Sequence, residues 1–133
     1  MKIFLDTNIF LDLILKRENY QESLLILNAV SKGIFDAFIL DITLLNIDYI
    51  AKKQVKDIRS FLNELNKNFT VLGADNSIFT MSLELNHTDL EDNAQYISAK
   101  ESHCELILTN DQKFHSPDII TFSSQEFVNK YLK

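Results

Sequence analysis

Asp6, Asp89, Asp92 and Asp111 stand far apart in the chain, and each falls where the sequence predicts that a strand ends or a helix begins. Asp6 closes the apolar run Lys2-Ile3-Phe4-Leu5, and Asp111 follows Leu106-Ile107-Leu108-Thr109 in the same way. Asp89 and Asp92 open a helical segment between those runs, at i and i+3, so that both face the same way from one helical turn. Carboxylates brought from distant points to one end of a sheet are what a Mg²⁺ or Mn²⁺ site requires, because these hard cations take oxygen ligands and folding must assemble the site. Such a cation can activate a water, neutralise the nonbridging oxygens of a phosphodiester and assist the leaving oxygen. Mg²⁺ keeps waters of its own, so three carboxylates suffice. The pattern therefore predicts metal-dependent hydrolysis of phosphodiesters. His87, His103 and His115 show no ligand spacing and are expected to be structural or solvated.

Elements that could deliver these acids are legible in the hydrophobic periodicity. With two glycines and one proline, the chain has little punctuation, which predicts long elements joined by short polar turns. Strands are expected at Lys2 to Leu5, Ala37 to Leu40, Phe69 to Leu72 and Leu106 to Thr109, with an edge strand from Ile119 to Phe122. Helices are expected at Asn8 to Leu15, Tyr20 to Lys32, Ile42 to Lys53, Lys56 to Asn68, Asn76 to Leu85 and Leu90 to Glu101. Gly33 would end the second of these, and the capping box of Ser123 with Glu126 would start a last helix through Leu132. Strands alternating with helices predict an α/β fold: a central, mostly parallel sheet of four to five strands with helices on both faces. Ligands of such sheets bind beyond the carboxyl ends of the strands, where Asp6 and Asp111 would lie.

Composition agrees with a single domain over residues 1–133. The hydrophobic fraction of 46% and charged fraction of 24% match an ordinary globular chain. No run approaches the roughly 18 to 20 apolar residues of a membrane span, and Asp6, Asn8 and Asp12 interrupt any signal-like start. Cys104, the only cysteine, excludes an intramolecular disulfide and a multi-cysteine zinc site, and it is expected to be a buried inert thiol in a cytoplasmic protein. The net charge of −6 argues against a general nucleic-acid coat protein. It does not argue against a nuclease, since acids that repel phosphate until a cation arrives belong with cation dependence. Basic residues gather as Lys16 with Arg17, and as Lys52, Lys53, Lys56 and Arg59, either to meet a polyanion or as solvated helix faces.

Four segments carry a further signal: Leu5-Asp6-Thr7-Asn8-Ile9-Phe10-Leu11-Asp12, Leu45-Asn46-Ile47-Asp48-Tyr49-Ile50, Asp89-Leu90-Glu91-Asp92-Asn93-Ala94-Gln95-Tyr96, and Leu108-Thr109-Asn110-Asp111 with Phe114. In order and spacing, across nearly the whole chain, they resemble the PIN-domain ribonucleases, close to the VapC-like toxins of bacteria. The resemblance implies a PIN-like three-layer fold, Mg²⁺- or Mn²⁺-dependent cleavage of RNA, a homodimer, and an antitoxin protein as partner. It also implies that Asp6, Asp92 and Asp111 are the catalytic metal-binding acids, with Asp89 as an additional ligand. Thr7 and Asn8 would support the first acid, and Thr109 the last. Asn46 stands where many members carry Glu, and would offer a neutral amide oxygen or orient a water. Asp48 cannot replace that Glu, because two residues turn a helix by about 200°. The lost charge leaves a second expectation open, a catalytically weak or inactive PIN-like module that binds RNA or a protein partner.

Plainer roles compete for each residue. Asp6 and Asp89 could be helix caps, Asp92 a complement to the helix dipole, and Asp111 a turn residue. Asp12 could support the site or be an exposed charge, and Glu91 is expected on a solvated helix face. A haloacid-dehalogenase-like phosphatase would need Asp and Thr where this chain has Asn8 and Phe10. A receiver-type phosphoacceptor would need its acceptor Asp after a middle strand, with a Lys on a late loop, an arrangement this spacing does not offer.

Overall fold

The computed structural model describes residues 1–133. Its strands are β1 (Lys2–Leu5), β2 (Asp36–Leu40), β3 (Thr70–Leu72), β4 (Leu106–Leu108) and β5 (Ile120–Phe122). Its helices are α1 (Thr7–Ile14), α2 (Tyr20–Ser31), α3 (Asp41–Ala51), α4 (Ile58–Asn68), α5 (Asn76–Glu84), α6 (Leu90–Glu101) and the short α7 (Ser124–Phe127), which runs into a π-helical turn over Val128–Leu132. The five strands form one sheet in the order β3-β2-β1-β4-β5, and every pairing is parallel. The expected three-layer α/β architecture is thus present, and its sheet is parallel throughout.

Alternation along the strands creates the two outer layers. Ile3, Leu5, Ile39, Leu106 and Leu108 point to one face, where they join side chains of α1, α2, α3, α4 and α7 in the larger core. Phe4, Leu40 and Ile107 point to the other, where Ile78 of α5 and Ala94, Ile97 and Ala99 of α6 cover them. Strands buried on both faces need near-continuous apolar sequence, which explains why β1 and β4 read as unbroken hydrophobic runs. On the larger side Phe10 meets Phe69 edge to face with ring centroids 5.3 Å apart, locking α1 to the start of β3.

Local signals set most element ends. Gly33 adopts φ +76 just past α2, a conformation that costs a residue without a Cβ little. Asp57 caps α4 by accepting from the Ser60 amide, so that helix begins at Ile58 rather than at Lys56. Lys52–Gln54 turn away from α3, which ends at Ala51. On α2 the buried face is Ser23, Ile26, Ala29 and Val30, while Leu24 and Leu25 of the expected stripe are exposed.

The last helix differs most from expectation. The Ser123–Glu126 capping box is present, yet the α-helix runs only to Phe127 before the wider π turn begins. That turn carries Tyr131 into an aromatic group with Phe35, Phe122 and Phe127, at centroid separations of 6.4, 5.9 and 4.9 Å. The wider turn thus coincides with aromatic packing on Phe35, a residue remote in sequence. The basic residues Lys16, Arg17, Lys52, Lys53, Lys56 and Arg59 are all exposed. No helix is long and apolar enough to cross a membrane.

Candidate active site

The sheet order places β1 beside β4, so the chain leaves both strands at neighbouring points on the carboxyl edge. Asp6 follows β1 directly and is 3% exposed. It occupies the N-cap position of α1, but its side chain makes no capping bond. Instead Oδ1 accepts from Gln95 Nε2 at 3.0 Å and Oδ2 from Thr109 Oγ1 at 2.7 Å. Thr109 Oγ1 in turn accepts the Asp111 amide at 3.1 Å, so one hydroxyl ties the two acids together. Asp111 also closes a local turn, its Oδ1 accepting from the Lys113 amide at 2.9 Å.

The first turn of α6 supplies the opposite wall. Asp89 caps the helix, with Oδ1 accepting from the Asp92 amide at 3.0 Å, so its plainer role is realised. Asp92 is 7% exposed, and no protein group donates a hydrogen bond to its carboxylate. Burial, then the charges of Asp6, Asp89, Asp111 and Glu91, push its carboxyl up to about 7. Asp6 is shifted upward too, chiefly by burial, with the donors Thr109 and Gln95 opposing and Asp111 adding to the rise. Asp6, Asp89, Asp92, Asp111 and Glu91 thus share one strongly negative field, and none is in a salt bridge; the ion pairs join Lys67 to Glu64 and Lys100 to Asp118.

Glu91 departs from the expected solvated face. It is half-buried, its Oε1 accepts from Asn46 Nδ2 at 2.8 Å, and its Oε2 accepts from Thr7 Oγ1 at 3.5 Å. Thr7 also bonds Thr43 Oγ1 at 2.9 Å. Asn46 therefore spends its amide nitrogen on Glu91. Asn8, half-buried on α1, makes no side-chain hydrogen bond to the acids. Asp12 lies outside the cluster as a buried structural acid: Asn110 Nδ2 donates to its Oδ2 at 2.7 Å.

The sequence offered no signal for Gln95 and Thr43, since each acts through a partner remote in the chain. His87 and His115 stack with ring planes 4° apart and centroids 5.0 Å apart, in the loops before α6 and after β4. Cys104 is buried, and its thiol is pushed up to about 11 by desolvation, as expected of an inert thiol. Beside Asp111 and Thr109 lies an open polar groove of about 620 Å³, lined by Glu18, Asn19, Gln112, Thr121 and Gln125 among others, with no Lys or Arg.

No three Asp, Glu, His or Cys side chains stand in a ready-made cation cage. The donor chemistry nonetheless fits a hard divalent ion: all-oxygen side chains, negative charge without a basic partner, and a buried carboxylate at Asp92 that lacks a donor. Mg²⁺ retains several waters of its own, so it can be held partly through them.

Residues 2–113 match the PIN domain family. The chain is 31% identical over 137 residues to Ribonuclease VapC1 of Aquifex aeolicus (strain VF5), covering 98% of this chain and 95% of that protein. Its fold is similar to VapBC2 from Rickettsia felis, solved bound to a promoter DNA fragment, with a TM-score of 0.69 and 20% identity over 92% of this chain and 98% of that one. A toxin-antitoxin complex from Klebsiella pneumoniae gives a TM-score of 0.69 and 22% identity, over 92% and 97% of the two chains. With the profile match, the ribonuclease homologue and the wholly parallel sheet in agreement, this chain belongs to the PIN-domain family, on its VapC-like side.

Proposed function

We propose that this protein is a divalent-cation-dependent endoribonuclease that hydrolyses RNA phosphodiester bonds in the cytoplasm, as the toxin of a toxin-antitoxin pair. The observation that carries this reading is the carboxylate of the largely buried Asp92, without a hydrogen-bond donor, in one field with Asp6 and Asp111. The 31% identity to a named ribonuclease over nearly the whole chain supports the substrate class.

Asp6, Asp92 and Asp111 would hold the ion directly or through water, with Asp89 at the margin. Mg²⁺ or Mn²⁺ there would neutralise phosphate charge and lower the pKa of an attacking water. Gln95 and Thr109 fix Asp6 so that it need not reorganise, and Thr109 carries the same constraint to the backbone of Asp111. Thr7 acts on Glu91 and Thr43 rather than on Asp6 through its hydroxyl. The polar groove beside Asp111 would receive the RNA strand adjoining the scissile phosphate. The toxin-antitoxin complexes among the fold neighbours support an antitoxin-like protein partner, and the exposed apolar Leu45 and Tyr49 on α3 support a homodimer.

The deciding assay incubates purified protein and its Asp6→Asn variant with structured and unstructured RNA, with Mn²⁺, with Mg²⁺ and with chelator. The expected result is cation-dependent cleavage by the wild type, absent from the variant. Equal cleavage by both indicates a contaminant. No cleavage by either favours a second reading, a PIN-like module that binds RNA or a partner without cutting, to which the uncharged Asn46 and the absence of a ready-made cage lend support.

A further inference from the structure

Positions 46 and 91 lie forty-five residues apart yet form one hydrogen-bonded pair, and only one of the two carries charge. Asn46 on α3 directs its amide nitrogen at Glu91 Oε1, 2.8 Å away. The other Glu91 oxygen accepts from Thr7, the residue after Asp6, and Thr7 is itself tied to Thr43 on α3. The Glu91 carboxylate is therefore pulled off the outer surface of α6 and held against the starts of α1 and α3. No Lys or Arg neutralises it there.

Hydrogen bonds alone would make this a structural acid closing a gap between helices. An independent observation points instead to a ligand. Asp92, the next residue, is 7% exposed as a whole, and its carboxylate accepts no hydrogen bond from the protein. Thr7, whose hydroxyl donates to Glu91 Oε2, directly follows Asp6, so the Glu91 carboxylate is held beside the point where Asp6 leaves β1.

We propose that Glu91 supplies the fourth carboxylate of the divalent-cation site, directly or through a metal-bound water, and that Asn46 is a positioning residue that holds it there. The carboxylate that α3 lacks at position 46 enters from α6 instead. This assignment rests on the cation-dependent reading above.

The experiment measures Mn²⁺ binding to the purified full chain by calorimetry and by electron paramagnetic resonance, with thermal melts in chelator to verify folding. Glu91→Gln is expected to weaken Mn²⁺ about tenfold or more, the scale of losing one supporting group at a metal site, without lowering the melting temperature in chelator. Asn46→Ala should weaken binding in the wild-type background and have no further effect on Glu91→Gln, because it acts only through that carboxylate. The double variant Asn46→Glu with Glu91→Gln, which moves the charge back to α3, should regain most of the affinity. Unchanged Mn²⁺ affinity in Glu91→Gln, or a double variant no better than Glu91→Gln, overturns the assignment. Asp92→Asn separates the two levels of inference. If it abolishes binding while Glu91→Gln binds Mn²⁺ like wild type, only the role of Glu91 fails; if the wild type binds no Mn²⁺, or Asp92→Asn binds like wild type, the cation reading fails and the assignment with it.

Discussion

The Gln95 side-chain nitrogen donates to Asp6 Oδ1 at 3.0 Å across a sequence separation of eighty-nine residues, while the oxygen of the same amide is buried without a partner. Both side chains are cut off from solvent, so the amide is one of only two side-chain donors that offset the desolvation of Asp6. Gln95→Leu should destabilise the metal-free protein by about 1 to 3 kcal/mol, the cost of a buried acceptor losing its partner. Urea unfolding at neutral pH in chelator measures this. Gln95→Glu should be worse at pH 8 than at pH 5, since a second carboxylate would then have to ionise beside Asp6.

Asp92 should make the metal-free fold less stable as pH rises. A carboxyl lifted from 3.8 to about 7 on folding binds its proton more tightly in the folded state. Its contribution is fully present below the unfolded value and is lost as pH climbs through about 7. The shift corresponds at most to something on the order of 4 kcal/mol, and Asp6 and Glu91, also shifted upward, add with the same sign. The melting temperature in chelator should therefore fall between pH 5 and pH 8, and Asp92→Asn should flatten that fall and melt above wild type at pH 8. Saturating Mn²⁺ should restore the wild type at pH 8 and do less at pH 5, where protons compete with the ion. A wild-type melting temperature that rises steadily over this range would contradict the arrangement.

Asn110 joins three elements. Its nitrogen donates to Asp12 on α1 at 2.7 Å and to Ser124 Oγ on α7 at 2.9 Å, and its oxygen accepts the Ser124 amide at 2.9 Å. Asn110→Ala should cost about 2 to 3 kcal/mol by stranding the buried Asp12 carboxylate. Asn110→Asp should cost more at pH 7 than at pH 4, because it sets carboxylate against carboxylate. Denaturant titrations at the two pH values give the comparison.

Asp89 can be divided into cap and charge. Asp89→Ala should lose about 1 kcal/mol of stability through the cap on α6, whereas Asp89→Ser keeps an oxygen for the Asp92 amide and should melt like wild type. If Asp89 also contributes as an acid, the Ser variant will bind Mn²⁺ more weakly despite its intact fold. Equal Mn²⁺ affinity would confine Asp89 to its structural task.

The strands and the two flanking acids were readable because their signals are local. An apolar run that stops at a polar residue marks Asp6 and Asp111 as ends of β1 and β4, and period-3.6 patterns mark the helices between them. Thr109 was legible as a support through the family resemblance, but Gln95 and Glu91 were not, because each depends on a partner supplied by tertiary structure. Gln95 resembles any helical glutamine until α6 docks it on Asp6, and Glu91 looks solvated until Asn46, forty-five residues earlier, draws it inward. The same holds for the turn over Val128–Leu132, whose widening goes with Tyr131 packing on Phe35, far upstream.

The central position of β1 has a consequence for biosynthesis. Its first partner, β2, is made soon after it, but its other neighbour is β4, and Thr109 reaches Asp6 across 103 residues. A nascent chain emerging from the ribosome therefore carries Asp6 long before the segment that completes its surroundings exists. The acidic pocket closes only after β4 and Thr109 have been made and have docked on β1, which delays any cutting of RNA until that late segment is in place.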